Sequence, residues 1–226
     1  MNDPMELTMF ERLLQLPLFQ GLTTQEISDV MSHVRLDFVK FHKDDEIVMQ
    51  DEPCRKLIYI ISGEVATEYR DPEGRFILAE HLPNIGAIEP YNMFGLYQKH
   101  SRTYTFTTDG ITLAIDKAVV LKHLLANNII KINFLNITSS KYQQTLRLIR
   151  DFPDGDVRSK IVKFMLSYCI VPRGKKDIQI KMKELANIIH ETRLNVSIAL
   201  NDMQEQGLLV LQRGGFSIEE LQNLYR

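Results

Sequence analysis

The sequence predicts an α+β chain in three parts: an N-terminal antiparallel β jelly roll, a long dimerisation helix and a C-terminal winged helix-turn-helix. Three observations carry this. Between about Leu36 and Ile115, short segments rich in β-branched and aromatic residues recur at a spacing of roughly 8 to 12 residues. From Asn127 or Asn128 to about Asp151 the apolar period becomes that of a helix. Beyond a break at "DFPDGD", two short helical patterns follow one another across the three residues "HET".

The strand candidates in the first part are "LDFVKF", "EIVM", "LIYIIS", "EVATEY", "FILAEHL", "TYTFTT" and "ITLAI". Turn chemistry separates them: "DPEG" at 71 to 74 is a strong turn, and Gly63 suits a tight reversal. Ahead of them "TTQEISDVMSHV" reads as a short helix started at Thr23 or Thr24. Asp116 to Leu125 reads as another.

The long helix carries two apolar stripes. Ile132, Leu135, Ser139, Tyr142, Leu146 and Ile149 recur at alternating steps of three and four, an a/d seam of almost three heptads. Ile129, Ile130, Phe134 and Ile137 make the other stripe. One stripe is expected to pack on the β domain and the seam on a second copy of the chain, giving a parallel homodimer. Pro153 and Gly155 stop the helix and mark a hinge. The expected domains are therefore 1–126 for the β domain, 127–152 for the dimer helix and 153–226 for the winged helix.

In the last part "DVRSKIVKFMLSYCI" is an amphipathic helix, "PRGKK" a basic turn and "IQIKM" a strand. "KELANIIH" and "TRLNVSIALNDMQEQG" are the paired helices, with Thr192 as N-cap and Gly207 as the C-terminal stop. Val196, Ala199, Leu200 and Met203 form the buried stripe of the second helix, which leaves Arg193, Asn195 and Ser197 outside it in the first turns. That is where a recognition helix meets base edges. "LLVLQRGGFSI" reads as a hairpin wing with Arg213 at its tip.

Composition bounds the alternatives. At 226 residues and 44% hydrophobic, the chain can bury a sizeable core. Asp3 and Glu6 stand where a secretory signal needs positive charge, and no apolar run approaches the roughly 18 residues of a membrane span, so a cytoplasmic protein without a membrane partner is expected. Cys54 and Cys169 have no CxxC partner, which argues against a disulfide framework, a zinc-thiolate site and a four-thiolate iron-sulfur cluster. His42, His81, His100 and His123 form no HxH pair, so a jelly-roll metal enzyme, the competing class, lacks its ligand set; no enzyme activity is expected. Haem stays open through His or Met ligands. The net charge of -2 conceals an uneven distribution: Arg158 to Arg193 holds nine basic residues against three acidic ones.

Over nearly its whole length the sequence resembles the Crp/Fnr family of bacterial transcription regulators. "DEIVMQDEPCRKLIYIISGEV" is similar to the family's β-roll signature and "ELANIIHETRLNVSIALNDMQEQGLL" to its helix-turn-helix. The resemblance implies DNA and a second copy of the chain as partners, and RNA polymerase as a third. It implies contacts to DNA from Arg193, Asn195 and Ser197, supported by Thr192, Lys181 and Arg213. Leu194 and Ile198 stand where well-known members carry Glu and Arg, so a different half-site is expected. His190 occupies a turn position where Gly is common, and His tolerates positive φ.

The resemblance also places a ligand pocket at Gly86, Ala87, Glu89, Arg102 and Thr103. In members that bind a cyclic nucleotide, a Gly-Glu pair meets the ribose and an Arg-Ser or Arg-Thr the phosphate. Here Arg102-Thr103 keeps the phosphate end, whereas Gly86-Ala87 replaces Gly-Glu and only Glu89 is left to reach the ribose. The segment between is longer, and Tyr91, Phe94 and Tyr97 are expected to fill the space. A different small ligand or none is therefore expected ahead of a cyclic nucleotide.

Overall fold

The computed structural model describes residues 13–82, 86–151 and 155–225. Asp3, Glu6, the Ile149 side chain and the Pro153 hinge lie outside the described residues.

A helical turn at Pro17–Phe19 precedes α1 (Thr24–Met31), which Thr23 and Glu26 close with a reciprocal capping box. Eight strands follow: β1 (Asp37–Phe41), β2 (Glu46–Val48), β3 (Lys56–Ser62), β4 (Val65–Arg70), β5 (Phe76–Leu82), β6 (Ala87–Ile88), β7 (Thr103–Phe106) and β8 (Gly110–Asp116). The seven expected strands are all present, and β6 is added by pairing with β3. At the β4–β5 turn the Asp71 carboxylate accepts from Arg75 Nε and Nη2 at 2.8 Å each. Those two bonds hold the Asp71 carboxyl below its ordinary range.

After a short helical stretch from Lys117 to Leu124, Asn127 accepts from the backbone N–H groups of Ile129 and Ile130 and starts α2 (Asn128–Asp151). Its stripes separate as the period requires. Ile130 and Phe134 are buried against the β roll, with the Phe94 ring edge-on to Phe134 at 5.6 Å. Ile132, Leu135, Tyr142 and Leu146 point to solvent, and Ser139 is exposed between them.

The last third comprises α3 (Val157–Tyr168), β9 (Lys176–Ile180), α4 (Met182–Ile188), α5 (Arg193–Glu205), β10 (Val210–Gln212) and β11 (Gly215–Ile218). Asp156 and Thr192 cap α3 and α5 through their side chains. His190 makes the turn before α5 at φ +53°. Gly215 lets β11 approach β9 so closely that a Cβ there would stand 1.8 Å from the Ile178 carbonyl oxygen.

The roll is two sheets, and one of them does not stop at the roll. The first has the order β1-β8-β3-β6; the second runs β10-β11-β9-β5-β4-β7-β2. Strand β9 therefore extends the roll's own sheet, antiparallel to β5 in the register Phe76↔Ile180, Leu78↔Ile178 and Glu80↔Lys176. Phe76 and Leu78 share one hydrophobic core with α3, α5 and β11. Each of these side chains, once buried, contributes about 1.5–3 kcal/mol.

The irregular stretch between β6 and β7 is pinned at Glu89, whose backbone is left-handed at φ +39°. Its buried carboxylate accepts from the Ser101 N–H at 2.8 Å, from the Ser101 hydroxyl and from Asn92 Nδ2, and lies 3.4 Å from His100 Nδ1. Burial opposes charge on both partners. Contact with Cys54 and Glu89 nonetheless raises His100 to about 9, while His100 and Ser101 lower Glu89.

Two outcomes follow from this packing. At Gly63, φ is +93° and an added Cβ would stand 2.8 Å from the Asp109 carbonyl oxygen, whereas Gly74 at φ +70° has open space. Gly63→Ala should lower the urea midpoint by an amount equivalent to about 1–3 kcal/mol, and Gly74→Ala by roughly 1. The His100 contribution is full below its ordinary 6.5 and is lost as pH rises through about 9. Glu89 contributes above its ordinary 4.5. Thermal stability should therefore decline between about pH 6.5 and 9, and His100→Asn should flatten that alkaline limb.

Candidate functional site

The first candidate face lies on α5. Thr192 Oγ1 accepts from the Asn195 N–H at 3.1 Å, and Val196, Leu200 and Met203 bury the opposite side, which fixes both the start and the rotation of the helix. Arg193 and Asn195 are exposed and Ser197 is half-buried, all in the first two turns. Asn195 Nδ2 donates to Glu191 at 3.2 Å, and Glu191 in turn takes Lys160 Nζ at 2.6 Å. Lys181 occupies the position before α4, exposed, and Arg213 is exposed at the β10–β11 turn. Of the positions assigned from sequence, Thr192, Arg193, Asn195 and Ser197 thus share the capped start of one helix. Such an end favours anions through the helix dipole and its free N–H groups.

The second candidate centres on Arg102. It is buried where the roll, α2 and the end of α3 meet, against a cavity of about 320 Å³ lined by Tyr69, Tyr91, Lys141, Tyr168 and Cys169 among others. Its Nη1 donates to Glu80 Oε1 at 2.5 Å and its Nη2 to the Tyr168 carbonyl. Lys176 Nζ, directly across the β5–β9 ladder, lies 3.2 Å from Glu80 Oε2. The Glu80 and Lys176 side chains have 0% exposure. Glu80 also accepts from the Ile170 N–H at 2.7 Å and the Val171 N–H at 3.4 Å, at the chain leaving α3. Arg102 Nε has no hydrogen-bond partner among the described residues. Burial lowers the Lys141 ammonium, whose Nζ donates to the Ile170 carbonyl at 3.1 Å, and pushes the Cys169 thiol up to about 12.

The structure does not gather the other pocket residues around Arg102. Glu89 is committed to Ser101, Asn92 and His100. Ala87 pairs with Tyr59 in the sheet, the Gly86 carbonyl accepts from Ile60, and Thr103 Oγ1 accepts from the Gln50 N–H at 3.1 Å. Of the three aromatics expected to refill the space, Tyr91 lines the cavity and Phe94 packs on α2, but Tyr97 is 84% exposed and fills nothing. Two residues that sequence reasoning passed over, Glu80 and Lys176, complete the site. A signal was present: Glu80 falls on the inward phase of Phe76, Leu78, Glu80, Leu82, where a carboxylate requires a buried cation.

Among the described residues, no group of three or more His, Cys, Asp or Glu side chains is placed to hold a metal ion. Both cysteines are free thiols. No described helix is long and apolar enough to cross a membrane.

No family model matches the chain. Among solved structures, the catabolite activator protein of Thermus thermophilus aligns with a TM-score of 0.48 at 19% identity, over 92% of this chain and 96% of that one. DNR from Pseudomonas aeruginosa aligns with a TM-score of 0.46 at 18% identity, over 97% and 98%. A curated relative, the CRP-like cAMP-activated global transcriptional regulator of Mycobacterium tuberculosis, is 24% identical over 229 residues, spanning 96% of this chain and 99% of its own. That similarity to a CRP-like transcriptional regulator runs over nearly the whole of both chains, and the elements of this chain follow the order β roll, long helix and winged helix-turn-helix.

Proposed function

We propose that the chain acts as a homodimer that binds a two-fold symmetric DNA site, with the residues from 153 onward as its reading unit. The observation that carries this is the capped start of α5, with Arg193, Asn195 and Ser197 on its first two turns, and with Lys181 ahead of α4 and Arg213 at the β10–β11 turn both exposed. Arg193 suits a bidentate guanine contact or a phosphate, Asn195 an adenine, and Ser197 several partners. Lys181 and Arg213 add phosphate contacts that position without specifying. Two copies joined along Ile132, Leu135, Ser139, Tyr142 and Leu146 would present two α5 helices to half-sites about 34 Å apart. RNA polymerase is the further partner that such a regulator engages.

Control is proposed to lie in the Arg102 site. The Mycobacterium relative is named as cAMP-activated. In this chain the arginine that would meet a cyclic phosphate is already paired by Glu80, and through Glu80 with the reading unit. An anionic effector would thus compete with the chain's own carboxylate and loosen β9 from β5. The occupied Arg102 equally favours a second reading, in which the roll supports the dimer and takes no ligand. Adding cyclic AMP or cyclic GMP to the purified protein separates the two: a shift in DNA affinity and melting temperature supports the first, and neither shift supports the second.

Two variants test the rest. Arg193→Ala should lose specific DNA affinity by about 1–3 kcal/mol with an unchanged melting temperature, in titrations whose affinity falls steeply as salt rises. Equal operator affinity in both proteins would remove Arg193 from the contact. Glu80→Gln strips the compensating charge from two buried cations, a change that costs about 3–5 kcal/mol when a buried pair is broken. Backbone amides of β9 should then exchange hydrogen faster, while unaltered protection there would show that Glu80 does not hold the junction.

A further inference from the structure

The outward centre line of α5 is apolar. At about 100° per residue, the positions opposite the buried Val196, Leu200 and Met203 are Leu194 and Ile198, followed by Asn201 and Glu205. Leu194 is 69% exposed and Ile198 52%. Arg193 and Ser197 flank this ridge on one side and Asn195 on the other, so the two aliphatic side chains stand between polar groups suited to base edges. Acidic residues on the helix, Asp202 and Glu205, are confined to its far end.

A protein partner fits this ridge poorly. Two side chains supply far less than the roughly 1,200 Å² that a specific protein interface buries, and polar Arg193, Asn195 and Ser197 rather than further apolar groups flank them. A base edge fits better: the major groove presents one small apolar group, the 5-methyl of thymine, and aliphatic side chains recognise it by contact. We infer that Leu194 and Ile198 are specificity-determining residues that read thymine methyl groups, so that the half-site carries thymines where hydrogen-bonding side chains at those two positions would select other bases. This rests on the DNA-reading proposal above and deepens it.

The test begins by selecting binding sites for the full-length protein from random duplex DNA, then replaces each thymine of the enriched half-site by deoxyuridine, which removes only the methyl. Each methyl buried against Leu194 or Ile198 should be worth about a fourfold change in affinity. Wild-type protein should show that loss at one or two thymines. Leu194→Ala and Ile198→Ala should each bind the thymine and uracil probes equally at one of those positions, with unchanged melting temperatures, and Leu194→Met should keep the discrimination. Leu194→Glu, which can accept from cytosine N4, should shift the selected base toward a C·G pair. An enriched half-site whose uracil probes all bind as well as thymine probes overturns this inference and leaves DNA reading intact. So does a thymine-to-uracil ratio that survives both alanine variants. If no sequence is enriched, DNA reading fails and the inference falls with it.

Discussion

One carboxylate organises the molecule. Glu80 stands on a roll strand, yet its oxygens are shared among Arg102 just ahead of β7, Lys176 from β9 and the backbone N–H groups that follow α3. All three charged groups are buried, so none can fall back on water, and the network holds together only while each partner stays in place. The network sits where the β5–β9 ladder, the shared core of Phe76 and Leu78 and the Arg102 cavity meet. Aromatic packing reinforces the junction: the rings of Tyr69, Phe76, Phe164 and Tyr168 lie with centroids 4.8 to 5.6 Å apart, two from the roll and two from α3.

Elements governed by local periodicity were legible in the sequence. Strand alternation located the roll, the Asn127 cap and two stripes located α2 and its two faces, and Thr192 with Gly207 bracketed α5. What local pattern does not encode is which distant strand lies alongside which. Lys176 reads as one charge in a basic turn, but β9 begins there and carries it fully inside. The same limit hid the fate of Arg102: its residue type suits an anionic ligand, and only the fold supplies a competing anion from β5. Tyr97 shows the converse. An aromatic beside a pocket motif need not face it: this one, two residues after Gly95 at φ +94°, lies in solvent.

The helices divide their surfaces with similar economy. On α2 the buried stripe is complete within one chain, while the seam of Ile132, Leu135, Tyr142 and Leu146 remains uncovered. On α5 the buried stripe is likewise complete, and the exposed residue types change along the axis, with Arg193 and Asn195 at the N-terminal end and Asp202 and Glu205 at the other. The dipole of α5 and its side-chain charges therefore agree in sign at the N-terminal end, the end with free backbone donors.

The β5–β9 ladder also carries its own check on alignment. Along β9 the burial alternates, with Lys176, Ile178 and Ile180 inside and Gln179 exposed. A slip of one residue would turn the other face inward and set Asp177 against Glu80, two carboxylates with Arg102 as their nearest cation, and Gln179 against Leu78. Misalignment in that direction is thus penalised by charge as well as by lost apolar contact. The opposite slip would bring Lys175 to Glu80 and is opposed instead by the side chains it turns inward, Asp177 against Leu78 and Gln179 against Phe76.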